Sequence, residues 1–151
     1  MPLEICDKVL DTIKSDGAIS SYTGYSVNDS RIYSWNPMFN ITFSPTQKAA
    51  ILFRYAQSPD PMEKSYPTQR GDVYFYFQIK SPDRTLAARI GERIENMFRD
   101  KPLQSDNYKA LVVFPNGNND GDAEGTVTRP VYVRNVNLIF KQIFKLNQWS
   151  E

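Results

Sequence analysis

Residues 70–103 read RGDVYFYFQIKSPDRTLAARIGERIENMFRDKPL, and a change of period inside them decides the fold. Val73, Phe75, Phe77 and Ile79 alternate with Tyr74, Tyr76, Gln78 and Lys80. A period of two lines up one set on one side of a β-strand. The second set is also aromatic, which implies cover on both faces over much of the strand's length. After Ser81-Pro82-Asp83-Arg84 the spacing becomes three and four. Leu86, Ile90, Ile94 and Met97, with Ala87 and Phe98 beside them, make one stripe of a helix. Its entry follows helix-start chemistry. Ser81 is the expected cap, Pro82 suits the first helical position, and Asp83 complements the positive helix end. Glu95 and Arg99 sit four apart in the favourable order, and Pro102 stops the helix.

Upstream of this unit, Ser58 to Arg70 contains Pro59, Pro61 and Pro67 and reads as loop. Lys48 to Gln57 (KAAILFRYAQ) is a short apolar run with aromatic and β-branched residues, so a strand is expected, although Ala49-Ala50-Ile51-Leu52 also suits a helix. Phe39 to Phe43 fits either state, and Arg31 to Trp35 is a short strand or extended arm ended by Asn36-Pro37. At the start, Leu3, Cys6, Val9, Leu10 and Ile13 predict a helix over 3–14, with Gly17 as its stop or Ala18 and Ile19 prolonging it by a turn, and a polar loop over 20–30.

Downstream, Lys109 to Phe114 (KALVVF) reads as a buried strand, and Asn116 to Gly125 (NGNNDGDAEG) as a turn or loop. From Val127 to about Phe144 the chain is extended. Val131 and Val133 keep one parity while Val136, Leu138 and Phe140 keep the other, which predicts a β-bulge near Arg134-Asn135. No repeat, low-complexity tract or second core interrupts the 151 residues, so a single domain over 1–151 is expected.

Composition narrows the function. At this length, with 40% hydrophobic residues, a core without disulfides is feasible. Eighteen Lys and Arg balance 17 Asp and Glu, which argues against a dedicated or sequence-specific nucleic-acid binder. There is no histidine, so the commonest general base and metal ligand are missing. No apolar run reaches the ~18–20 residues of a membrane span, and Met-Pro-Leu-Glu lacks the pattern of a secretory leader. A chain of a reducing compartment or a capsid is expected.

Three patterns invite a chemical reading. Asp120-Gly121-Asp122-Ala123-Glu124-Gly125 resembles the opening of a calcium loop, but its twelfth position is Val131 where a carboxylate is needed. A solvated hairpin tip is the simpler account. Cys6 has no histidine to activate it and falls on an apolar helix stripe, where it serves as a small core residue. Carboxylate pairs (Asp60 with Glu63, Asp120 with Asp122) have nothing in the sequence to place them in a pocket. No catalytic residue, cofactor or metal is therefore expected. The 20 aromatics fit core and protein interface better than base stacking, although an aromatic sheet face binding single strands is the rival reading. Charge is also asymmetric. Residues 116–125 carry Asp120, Asp122 and Glu124 and no base, while residues 127–151 carry Arg129, Arg134, Lys141 and Lys145 against Glu151. Two such surfaces either are solvated faces or meet between neighbouring copies, head to tail, in a ring.

The order of elements, and above all Gly71, the strand at 73–79, Pro82, Ala87, Ile90, Ile94 and Phe98, resembles the tail terminator (tail completion) proteins of long-tailed bacteriophages and prophages. The likeness spans most of the chain but is detailed only in 70–103. It implies an α+β single domain with a mixed, largely antiparallel sheet of about four to five strands packed against two main helices. It implies a sixfold ring of identical chains at the head-proximal end of the tail tube, with the tube protein and the head–neck connector as partners. The location implied is the virion, reached by assembly in the host cytoplasm, with no membrane contact. Another neck or head-closure role is the nearest alternative. Within that reading the loops at 58–70 and 116–125 are candidate contact surfaces, with Met62, Tyr66, Asp120, Asp122, Glu124, Arg129 and Arg134 as candidate interface residues.

Overall fold

The computed structural model describes residues 3–26, 28–35, 40–59 and 71–146. Their order is α1 (Leu3–Lys14), α2 (Gly17–Thr23), β1 (Ile32–Ser34), β2 (Ala50–Pro59), β3 (Gly71–Ser81), α3 (Arg84–Phe98), β4 (Leu103–Gln104), β5 (Tyr108–Asp120), β6 (Glu124–Gly125) and β7 (Pro130–Lys145). The strands form a seven-stranded sheet in the order β1-β2-β3-β7-β5-β4, with β6 pairing β7. Only β1 and β2 run parallel, so the sheet is mixed and largely antiparallel as expected. It has more strands than the expected four to five, because β4 and β6 are two-residue pairings that carry no periodicity to read.

β3 lies in the middle of the sheet, and its burial alternates strictly along its length. Val73, Phe75, Phe77 and Ile79 are buried against the helices, and Tyr74, Tyr76, Gln78 and Lys80 are half-buried on the other face. In α3 the stripe Leu86, Ala87, Ile90, Ile94 and Phe98 is buried as its spacing requires. Its entry differs by two residues from the expectation. Asp83 is the cap, its carboxylate accepting from the Thr85 and Leu86 amides. Ser81 is instead fully buried at the end of β3, where its hydroxyl donates to the Lys48 carbonyl at 2.6 Å and accepts from the Asp83 amide. Pro82 thus precedes the cap.

Gly17 begins a helix where a stop was expected. Asp16 caps α2 by accepting from the Ile19 amide, and the same carboxylate is clamped by Arg93 of α3 at 2.7 Å. The stop is Gly24, in the left-handed region at φ 77°, its amide bonded to the Ser20 carbonyl. A Cβ at Gly24 would lie 1.9 Å from the Thr46 carbonyl oxygen, so only glycine permits this close approach of the chain to segment 40–49. In α1 the buried stripe is Ile5, Cys6, Val9 and Ile13; Ile5 joins it and Leu10 is half-buried. Burial pushes the Cys6 thiol up to about 11, which makes it a poor nucleophile at neutral pH.

Three expectations downstream need correction. Residues 116–125 are largely strand: β5 continues through Gly117 to Asp120, made possible by a register shift between Pro115 and Asn118 that absorbs the glycine at φ 133°. The Lys109–Phe114 segment is buried on one side only, with Leu111 and Phe114 exposed at 37% and 45%. The pairing of β3 with β7 runs unbroken from Val73↔Phe140 to Ser81↔Tyr132, so no bulge lies at Arg134-Asn135. The parity changes there because Val133, opposite Lys80, is buried on the other face of the sheet, beneath Gly121, whose amide donates to the Val133 carbonyl. The register shift between β3 and β7 falls at Gly71/Val73 instead.

Candidate functional site

The acidic stretch and the basic strand lie against each other within one chain. β5 and β7 pair Asp120 with Arg134, and Asp120 accepts from Arg134 Nη1 at 3.0 Å and from Arg84 Nη2 at 2.5 Å. Arg84 reaches it because it is the first residue of α3, whose N-terminal end lies over the last residues of β5. These two guanidinium groups, Arg84 first, hold the Asp120 carboxyl below the usual range. Arg134 continues inward, donating through Nε to Asn118 Oδ1 at 2.6 Å, and the Asn118 amide donates to Glu95 at 2.7 Å. Partial burial opposes ionisation of Glu95, yet Asn118 and the paired Arg99 hold its carboxyl low. Gly91 makes room for this chain of contacts, since a Cβ there would meet the Arg134 stem at 3.0 Å.

Glu124 is paired with Lys80 across the sheet at 2.8 Å. Asp122 is exposed and makes no ion pair among the described residues. Arg129 sits in the hairpin between β6 and β7, where its backbone amide donates to Thr126 and Val127 beside it is fully exposed. Met62, Tyr66 and the Asp60–Glu63 pair lie outside the described residues. Of the candidate residues, then, the fold brings Asp120 and Arg134 into contact, anchors Glu124 separately, and leaves Asp122 and Arg129 free to meet another surface.

Among the described residues no group of three Asp, Glu or Cys side chains is arranged to hold a metal. No helix among the described residues is long and apolar enough to cross a membrane. Among the described residues, one open groove runs between α3 and β5 along Glu92, Glu95, Arg99 and Asn118, and another beside α1 along Glu4, Asp7, Asp11 and Asp106.

The ion pairs predict an acid limb of stability. Asp120 and Asp16 both have carboxyls lowered by arginine partners. A lowered folded value means that their contribution is complete above the ordinary carboxylate range and is lost as pH falls through the lowered value, below about pH 4. Denaturant midpoints measured at pH 7 and pH 3 are expected to differ less in Asp120→Asn than in the parent chain.

The second surface of note was hidden from the sequence, because it needs the register. The sheet face opposite the helices carries Ala56, Tyr74, Ile139 and Phe114 in one row across β2, β3, β7 and β5, and Arg54, Tyr76 and Asn137 in the next. The Arg54 guanidinium lies between two rings, 4.8 Å from Trp35 and 4.9 Å from Tyr76. Lys141 lies 5.6 Å from the Phe114 ring. The aromatic second face of β3 is thus half-covered by its own neighbours' side chains, and the helices pack on the opposite face with the main core.

No family model and no curated protein matches the sequence. Among solved structures, a chain from the virion of a native gene transfer agent particle is similar: TM-score 0.58 at 8% identity, the alignment covering 92% of each chain. At that identity the likeness is one of fold.

Proposed function

We propose that this chain is a structural virion protein that works as a tail terminator. Six copies form a ring at the head-proximal end of the tail tube, halt tube growth, and present a surface to the head–neck connector. The mechanism is interfacial. One ring face reproduces the docking surface of a tube subunit, and the opposite face lacks the complement for another tube ring. No catalytic residue, cofactor or metal enters the proposal, and its place is the virion after assembly in the host cytoplasm. The observation that carries it is the shared fold with a virion chain across 92% of both chains. The element pattern in 70–103 supports the finer role, and the side chains left free on the sheet face and hairpin suit an interface protein.

Electron microscopy of particles made without this chain tests the reading. Tubes of uncontrolled length, or tails that fail to join heads, are the expected result. Normal tailed particles would refute it.

A further inference from the structure

The open sheet face is turned away from the helices, the groove runs between α1 and the β4–β5 turn at one edge of the sheet, and their charges are complementary. The face presents Arg54 and Lys141, each stacked on aromatic rings and neither in an ion pair among the described residues. Tyr74, Ile139 and Phe114 lie between them. The next outward position on β3, Asp72, is already engaged in a contact of its own. The groove presents Glu4, Asp7, Asp11 and Asp106 around the single base Lys8. Asp7, Asp11 and Asp106 are exposed and outside every described ion pair, while Glu4 accepts from the Asn107 amide at 2.7 Å, which fixes one wall.

We infer that the aromatic, cationic sheet face of one copy docks into the acidic groove beside α1 of a second copy. The inference rests on the ring reading above and names the two surfaces that would close it. A guanidinium already held between Trp35 and Tyr76 has given up side-chain freedom before it meets a carboxylate, so less is lost on binding. Trp, Tyr and Arg grouped in this way are the residue types that anchor protein interfaces. Because the two patches are different, the contact is heterologous and repeats from copy to copy, giving a ring where its rotation closes and an open filament where it does not. A two-fold dimer through the sheet face alone would set cation against cation.

The test is sedimentation of the full chain at about 0.01 M salt, where screening extends about 30 Å, and again at about 1 M, where it extends about 3 Å. Self-association at low salt that weakens at high salt is expected. Arg54→Glu is expected to weaken it about tenfold or more, and so is Asp7→Lys with Asp11→Lys. Joining both reversals in one chain should restore association. Lys141→Glu is an independent variant on the same face, and an unchanged melting curve for each variant shows that folding is intact. A parent chain that stays monomeric at low salt, or reversals whose defects add without rescue, would overturn the inference. So would salt-sensitive binding of a single-stranded oligonucleotide that Arg54→Glu abolishes, which would assign the face to nucleic acid. Rescue by charge exchange alongside normal tails in the deletion would leave the docking standing and refute the terminator role. Defective tails in the deletion with no effect of Arg54→Glu would do the reverse.

Discussion

Phe140→Ala is expected to lower the unfolding free energy by about 3–5 kcal/mol, the range for deleting a large buried aromatic. Phe140 is fully buried at the crossing of three elements. Its ring meets Phe98 of α3 edge-on at 5.5 Å and Phe75 of β3 edge-on at 5.8 Å, geometries that add to the transfer term. Phe75 in turn stacks on Phe77 at 5.2 Å, so the cavity would open in the middle of a chain of rings. Collapse into that space is resisted on one side by the paired backbones of β3, β7 and β5 and on the other by α3. Urea titration should show a lower midpoint with an unchanged slope. Phe114→Ala, on the open face at 45% exposure, is the control and should change stability by no more than about 0.5 kcal/mol. Equal losses from the two variants would mean that the open face is packed as tightly as the core, which would remove it as a docking surface.

The two elements with the longest unbroken period, β3 and α3, are legible in the sequence because each turns one face to the core along its whole length. Burial that alternates strictly from Gly71 to Ser81, or recurs every three or four residues from Leu86 to Phe98, leaves a pattern that survives without coordinates. The pattern misleads where a residue serves two partners. Gly17 looks like a helix stop because glycine commonly is one, but Asp16 beside it caps a new helix, and the glycine that must be glycine is Gly24, constrained by Thr46 far along the chain. Val133 looks like half of a bulge because the sheet buries it on the face away from the core. The NGNND run looks like loop because its residues have low strand propensity; pairing with β7 overrides that preference. Legibility at the candidate site follows the same rule. The charges of Asp120 and Arg134 were visible, but their meeting inside one chain depends on the β5–β7 register. The Trp35–Arg54–Tyr76 stack gathers residues from three separate stretches of sequence, and spacing along one stretch gives no sign of it.

Arg31 carries the other large expected effect. It is a buried charge, 2% exposed, at a backbone φ of 61°, in a position the sequence marks only as the start of an extended arm. Its guanidinium donates to the Ala49 carbonyl at 3.1 Å and to the Thr42 carbonyl at 2.8 Å, lies over the Phe43 ring, and stands 3.9 Å from the Asp29 carboxylate. One side chain thereby ties β1 to the irregular segment 40–49 that leads into β2. Arg31→Ala would strand the buried Ala49 carbonyl, leave the Thr42 carbonyl to water and remove the counter-charge of Asp29. At about 1–3 kcal/mol for the unsatisfied buried carbonyl and about 1.5–3 kcal/mol for a lost hydrogen bond from a charged donor, a loss of about 2–5 kcal/mol is expected. Asp29 itself stays hydrated and keeps the Tyr33 hydroxyl at 2.7 Å, which keeps the loss below that of a fully orphaned ion. Arg31→Lys should recover less than half of the loss, because one ammonium cannot span two carbonyls in the planar fork that Arg provides. Hydrogen exchange gives the reading that distinguishes this tether from ordinary core packing. Protection should fall over 40–49 and at the Ile51 amide, which bonds the Arg31 carbonyl, while β7 and α3 keep theirs. Uniform loss across the sheet would mean instead that Arg31 supports the whole core, and the segment 40–49 would then not be a separately anchored piece.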